Sequence, residues 1–423
     1  MPFRNLLSLP HWKSRLLLWG AAAAVGLAAV LFAGLADAAQ NALRRLLEDS
    51  RFWPWLLAPA GFFLIAWITQ RYFRGAEGSG IPQTIFALRP DAGAQGEAFL
   101  KPKVVIGRVA LAALGLLCGG SIGREGPTVH VGAVIVHGVA RWMPHGRIEA
   151  QRRALVLAGG AAGVAAAFNT PLAGIVFAIE ELSRSFEERA SGTTLTAVIL
   201  AGVVAIALVG DYSYFGQPVV PSQLRAISPA IIALAAACGL AGGGFSRLTL
   251  ACAGSLPGIL GKLRITRPAV FAGLCGLAIA AIGTLSGDLT YGTGYAEARS
   301  VLESQAHLPW FYAPARALAT LLSYLSGIPA GLLAPSLSVG AGLGQLVADA
   351  CGQPSAVPFA ILGMCGYLAG VTQAPLTSLV IVMEMTAQHA MVLPLMVSAA
   401  LATAVSKLIT PPLYQSLADR YSN

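Results

Sequence analysis

The sequence predicts an all-α integral membrane protein of many tilted and broken helices, and three observations lead to that reading. First, the 423 residues are 56% hydrophobic and 11% charged, with a mean hydropathy of +0.69, against roughly 25% charge in soluble domains. Second, charge-free runs at Leu16–Ala36, Ala154–Ile179, Ser191–Gly210, Ala226–Ser246, Ala269–Gly287 and Ala317–Ala348 reach or approach the ~20 residues a spanning helix needs. Their length excludes a β-barrel, whose strands are short and alternate. Third, Val109–Ile122 and Gly126–Ala140 are too short to cross upright and are interrupted by Gly and Pro. Such segments line cavities in transporters.

Taken in order, Lys13 and Arg15 precede the first apolar run, and Ala36-Asp37-Ala38 after it imitates a cleavage site. The run exceeds the 7–15 residues typical of a signal core, so it is read as a retained first transmembrane helix. The net charge of +9 gathers in loops, at Lys13/Arg15, Lys101/Lys103/Arg108, Arg141–Arg153 and Lys262–Arg267. This fits orientation by positive-inside bias or a field that attracts anions, and no nucleic-acid partner is expected. The six cysteines lie in apolar runs without paired spacing and read as packing residues. The six histidines show no metal spacing, so no metal or other cofactor is expected.

The chain also repeats itself. Gly123-Arg-Glu-Gly-Pro-Thr-Val-His-Val-Gly-Ala133 aligns, 208 residues on, with Gly331-Leu-Leu-Ala-Pro-Ser-Leu-Ser-Val-Gly-Ala341. Asn169-Thr-Pro-Leu-Ala-Gly-Ile-Val-Phe-Ala-Ile-Glu180 aligns, 204 residues on, with Gln373-Ala-Pro-Leu-Thr-Ser-Leu-Val-Ile-Val-Met-Glu384. A weaker echo pairs Gly78-Ser79-Gly80 with Gly292-Thr293-Gly294. Collinear matches of this kind divide one transmembrane domain, 1–423, into related halves of approximately 14–212 and 222–410, with a break near Asp211–Ser222. A C-terminal segment, 411–423, carries Tyr414.

Four elements could meet where the halves meet. Arg124 and Glu125 are the only charges between Arg108 and Arg141, and an ionisable group at that depth is a functional candidate. Pro127 suits a helix start behind them. Gly331–Pro335 is the repeat mate, and Gly78-Ser79-Gly80-Ile81-Pro82 places Ser79 where an N-cap would stand. Such starts present unpaired N–H groups and a positive dipole end, which suits an anion. Pro411-Pro412-Leu413-Tyr414 adds a phenol. Hydroxyl and amide donors without a full positive charge suit a small anion that must also leave. Each piece also has a structural explanation: a generic helix start, a tyrosine in an interfacial belt, or a silent Glu125 pair with Arg124 or a lysine.

Together these motifs resemble the CLC family of chloride channels and chloride/proton antiporters, over nearly the whole chain. Gly78–Pro82, Gly123–Pro127 and Gly331–Pro335 match its three anion-binding signatures in order, and Phe168–Glu181 and Tyr414 match as well. The resemblance implies a homodimer with one pore per subunit and an inverted repeat within each. It implies an anion site drawn from Ser79, Gly80, Ile81, Arg124, Glu125, Gly126, Leu332, Leu333 and Tyr414, with chloride held as substrate by the Ser79 and Tyr414 side chains and the Leu332 and Leu333 amides. It further implies Glu125 as outer gate, with Glu125 and Glu181 as the proton-transfer pair, in the lipid of a bacterial inner membrane. Position alone makes Glu181 a solvated helix end leading into Leu182–Arg189, and lets Glu180 pair with Arg184.

There are departures from the family pattern. Leu333 replaces the phenylalanine of the third signature. Gln83, Thr84 and Ile85 stand where some antiporters carry an acid, and Arg108 stands where those have a lysine. Ser79, in place of proline, fits chloride over nitrate, and Ser79 with Tyr414 argues against the fluoride-exporting branch. No regulatory nucleotide-binding module is expected after Tyr414. Glu384, the repeat mate of Glu180, is read as a structural acid. The function carried forward is chloride/proton exchange, not an enzyme, with a passive chloride channel as the alternative. A membrane-embedded hydrolase would need a nucleophile and base or metal ligands that the sequence does not group. A cation or organic-solute transporter would offer acids or carbonyl ends rather than helix N-termini.

Overall fold

A computed structural model describes residues 9–142, 148–183, 192–210, 214–220, 228–254 and 256–422. The first half contributes α1 (Leu9–Asp49), α2 (Trp53–Tyr72), α3 (Ile81–Ala87), α4 (Gly93–Phe99), α5 (Pro102–Leu117), α6 (Glu125–Gly138), α7 (Ile148–Phe168), α8 (Pro171–Phe177) and α9 (Gly192–Val209). The second contributes α10 (Pro229–Gly254), α11 (Gly258–Thr266), α12 (Pro268–Leu285), α13 (Tyr295–Leu302), α14 (Tyr312–Leu325), α15 (Leu333–Ala350), α16 (Val357–Thr372), α17 (Pro375–Thr386) and α18 (Val392–Lys407). A last helix, α19 (Leu413–Asp419), follows. Among the described residues the only strand-like pairings are two isolated bridges, Gly78 with Pro329 and Gly123 with Gly331.

Proline sets many helix starts, as at Pro102, Pro171, Pro268 and Pro375, where its missing N–H costs no hydrogen bond. Helical spans at Trp12–Asp49, Pro229–Gly254, Pro268–Leu285 and His389–Lys407 are long and apolar enough to cross a bilayer. The first helix outruns its charge-free core: its 41 residues span about 60 Å, so its charged ends reach past the hydrocarbon layer. Two runs that hydropathy presents as continuous are broken. Ala154–Ile179 divides at Asn169, which takes φ 55° before Pro171, and α8 ends in a π-helical turn, Ala178–Leu182. Ala317–Ala348 divides after α14, where Gly327 takes φ 79° and both bridges intervene before α15. Cys351 is exposed at the end of α15, whereas Cys118, Cys238, Cys275 and Cys365 are buried packing residues.

The two halves make matching contacts. A Cβ on Gly132 would lie 2.2 Å from the Gly159 carbonyl, and one on its mate Gly340 would lie 2.3 Å from the Gly363 carbonyl. Small residues thus let α6 close on α7 as α15 closes on α16. Glu180 accepts the Leu376 and Thr377 amides at 3.1 and 2.7 Å, capping α17. Glu384 accepts the Leu172 and Ala173 amides at 3.3 and 2.8 Å, capping α8. Glu384 is therefore bonded to backbone, as expected of a structural acid. Glu180 caps its partner half as well. Arg184 and most of the segment Leu182–Arg189 lie outside the described residues, as do residues 211–213 and 221–222 at the expected break.

Buried arginines repeat the pattern. Arg108 donates to the carbonyls of Gly75 and Gly78, both at 2.7 Å. Arg316 donates to those of Leu289, Tyr291 and Gly292 at 3.2, 3.1 and 2.8 Å. Each pins the loop that precedes a short helix, α3 or α13. Carbonyl dipoles, rather than a side-chain acid, receive both guanidinium groups.

Candidate functional site

Three glycine-bearing segments are tied together by backbone. The Gly78 amide donates to Ile328 O at 3.1 Å, and the Ala330 amide returns to Gly78 O at 3.0 Å. Gly123 and Gly331, which are repeat mates, exchange both their bonds, at 2.8 and 3.2 Å. An antiparallel pair of that kind has local two-fold symmetry, so this bridge sits where the halves are related. Close approach demands glycine: a Cβ on Gly331 would lie 2.4 Å from Gly123 O, and one on Gly126 would lie 2.7 Å from Ser79 O. The starts of α3, α6 and α15 therefore converge inside the protein, and the first amides of a helix have no partner within it.

Ser79, Gly80 and Ile81 are all buried in this cluster. Ser79 is not the N-cap: Gly80 takes that place with φ 94°, and Ser79 Oγ accepts the Ile81 amide at 3.4 Å. Gly126 is buried, as are Leu332 and Leu333 at the head of α15. Tyr414, the second residue of α19, is fully buried, and its hydroxyl has no hydrogen-bond partner among the described residues, which is not how a belt tyrosine is placed. Its helix packs on α3, and the hydroxyl lies within electrostatic reach of Glu181 and Glu125.

The Arg124 guanidinium points away from the Glu125 carboxylate. The side chain turns to α1, donating to Ala33 O at 3.0 Å and Asp37 Oδ1 at 2.9 Å, and to the Tyr214 hydroxyl at 2.7 Å. A silent Arg124–Glu125 pair is thereby replaced by an Arg124–Asp37 pair. Glu125 is 0% exposed. Its Oε1 accepts the Tyr295 hydroxyl at 2.7 Å. Its Oε2 has no hydrogen-bond partner among the described residues and would lie 2.4 Å from a Cβ on Gly123, with the Ala334 amide nearby.

Glu181 is 4% exposed in the π-helical turn, so the solvated helix end expected from position alone is not what forms. Its backbone carbonyl accepts Gln415 Nε2 at 2.8 Å, which ties the turn to α19. Gln83 donates to the carbonyl of Glu77 at 2.6 Å. The residue that sequence reasoning missed is Tyr295. The Gly78–Gly80 echo, carried one residue further, would have found it, because Tyr295 follows Gly294 as Ile81 follows Gly80.

A buried carboxylate at the head of one helix, beside the bare head of another, can do one thing that a neutral side chain cannot. Ionised, it competes with an external anion for the same amides; protonated, it gives up that claim. Residues 61–407 match the family model described as voltage gated chloride channel. The chain belongs to this CLC family.

The H(+)/Cl(-) exchange transporter ClcA of Citrobacter koseri is 32% identical over 384 residues, covering 86% of this chain and 77% of that protein. The ClcA protein of Cronobacter sakazakii is 31% identical over 398 residues, covering 86% and 78%. Among solved structures, a slow cyanobacterial Cl-/H+ antiporter superposes with TM-score 0.78 at 24% identity, covering 96% of this chain and 97% of that one. A CLC-type fluoride/proton antiporter superposes with TM-score 0.76 at 22% identity, covering 97% and 98%. The helical architecture is thus the CLC fold, carried by a chain of a membrane-spanning family.

Proposed function

We propose that this CLC protein exchanges chloride for protons across a bacterial inner membrane, as a homodimer, with Glu125 as the outer gate. One observation above all supports the reading: the Gly123–Gly331 bridge brings the heads of α6 and α15 together with the buried Glu125 carboxylate between them. The anion is held by the Ser79 hydroxyl, the Tyr414 phenol and the amides at Gly80, Ile81, Leu332 and Leu333, with those at Arg124, Glu125 and Gly126 donating to it when the carboxylate leaves. Protonation of Glu125 removes a negative charge from the pathway, so anion entry and proton entry are coupled at one atom group.

Glu181 passes the proton to the other face. Its burial beside the segment that packs on α19 fits that role, as does the position of Tyr414 within reach of both carboxylates. The named activity of the ClcA relatives agrees. Ser79 and Tyr414 favour chloride over fluoride as the anion. For the homodimer, exposed Leu172, Leu195, Leu376 and Leu393 offer apolar surface on the repeat-related helices α8, α9, α17 and α18.

Liposomes with a chloride gradient and an internal pH probe test the exchange. The protein should drive protons uphill, and Glu125→Gln should abolish proton movement while chloride still flows. Proton pumping that survives the substitution contradicts the gate. The second reading, a passive chloride pathway, is favoured by Gln83, Thr84 and Ile85, which stand where some antiporters of the family carry an acid; it predicts chloride flux with no uphill protons in the unaltered protein.

A further inference from the structure

The Gly292–Tyr295 loop has no place in the proposed anion site, yet it reaches the gate. Gly292 and Gly294 take φ of 74° and 87°, as Gly78 and Gly80 take 68° and 94°. Both loops therefore deliver the next residue as the first of a short helix, Ile81 in one half and Tyr295 in the other. The Ile81 side chain can only pack, whereas the Tyr295 hydroxyl donates to Glu125 Oε1 at 2.7 Å.

The phenol is held from several sides. Its ring lies 5.2 Å from that of Tyr214 and 5.6 Å from that of Phe215. The Arg124 guanidinium stands over both tyrosine rings, at 5.6 and 5.8 Å. Arg124 is itself anchored to Asp37 on α1, and Tyr214 donates to Ala167 O at 3.2 Å. The Phe215 amide is fixed to Met385 O at 3.1 Å. A hydroxyl mounted in this way marks one position of the carboxylate and cannot follow it elsewhere.

We infer that the second glycine loop is the holder of the gate: Tyr295 is a positioning residue that keeps the Glu125 carboxylate in the closed position and sets the pH at which it lets go. The inference rests on the gate reading above. The hydroxyl donates to the ionised carboxylate and so favours it; once Glu125 carries a proton, that advantage is lost. Among the described residues, the groups that face Glu125 are Arg124 beside it, its own backbone amide, Tyr295 from α13, the Ala334 amide from α15 and, at longer range, Tyr414 from α19. Asp37 and Tyr214 act on Arg124. Tyr295 is the one among these that grips the carboxylate by a side-chain hydrogen bond.

The test is Tyr295→Phe, which keeps the ring and its packing, with a thermal melt to check the fold. Two quantities are titrated against pH: chloride flux from liposomes, and the infrared C=O band of the Glu125 carboxylic acid, assigned by its loss in Glu125→Gln. Both midpoints should move up by about one pH unit, a tenfold change in proton affinity. In a Glu125→Gln background the same substitution should change chloride flux by less than about twofold. Unmoved midpoints, or an equal flux change in that background, overturn the inference. A shifted infrared midpoint together with proton pumping that survives Glu125→Gln would leave Tyr295 as the holder and remove Glu125 as the gate, so the two failures are distinguishable.

Discussion

The loops at Gly78–Ile81 and Gly292–Tyr295 share a backbone but not a chemistry. Each takes two left-handed glycines, each is pinned through its carbonyls by a buried arginine, and each opens a short helix. They differ in what they present. Ser79 keeps its hydroxyl at the convergence of three helix starts, bonded only weakly to the Ile81 amide. Its mate Thr293 is claimed by Gln40 of α1, whose Oε1 accepts both the Thr293 amide at 3.0 Å and its hydroxyl at 3.2 Å. The following residue is Ile81 in one loop and Tyr295 in the other. A duplicated frame has thus been divided by changing only which side chains are available: one copy leaves the Ser79 hydroxyl among the helix heads, and the other gives the Tyr295 hydroxyl to the Glu125 carboxylate.

If the frame is equivalent in both halves, damaging it in either should cost alike. The largest effect is expected at the arginines. Arg108→Met and Arg316→Met each leave several buried carbonyls without a charged donor, and each should destabilise the protein by about 3 kcal/mol. Thermal melts in detergent measure this, and a loss confined to one variant would break the equivalence. A smaller effect is expected where the halves cap each other. Glu180→Gln and Glu384→Gln each weaken two bonds at a helix start and should cost about 1 kcal/mol. Matching losses, with proton coupling intact, would sharpen the comparison. Loss of coupling in Glu180→Gln would instead give that residue a part in proton transfer.

Much of this frame is legible in the sequence because it rests on local rules. Charge-free length marks the spans, and Gly and Pro mark where backbone turns or approaches closely. A fixed offset of 208 residues pairs Gly123 with Gly331 through the likeness of their flanking residues alone. What escapes is decided by contact between distant segments. Hydropathy does not see the break at Asn169, because the residues on both sides are equally apolar. Nothing local says that Arg124 turns to Asp37, 87 residues away, and leaves its neighbour Glu125 to Tyr295, 170 residues away. Glu181 reads as a solvated helix end because charged residues follow it, whereas tertiary packing closes over it.

The most direct measurement is bromide anomalous diffraction from crystals of the unaltered protein and of Glu125→Gln. The unaltered protein should show a halide within hydrogen-bonding distance of the Tyr414 hydroxyl and the heads of α3 and α15. The variant should add a second halide where the Glu125 carboxylate stood. Anomalous density absent from the Tyr414 hydroxyl, or a variant whose second position stays unfilled at saturating bromide, would contradict a pathway in which anion and carboxylate compete for the same amides.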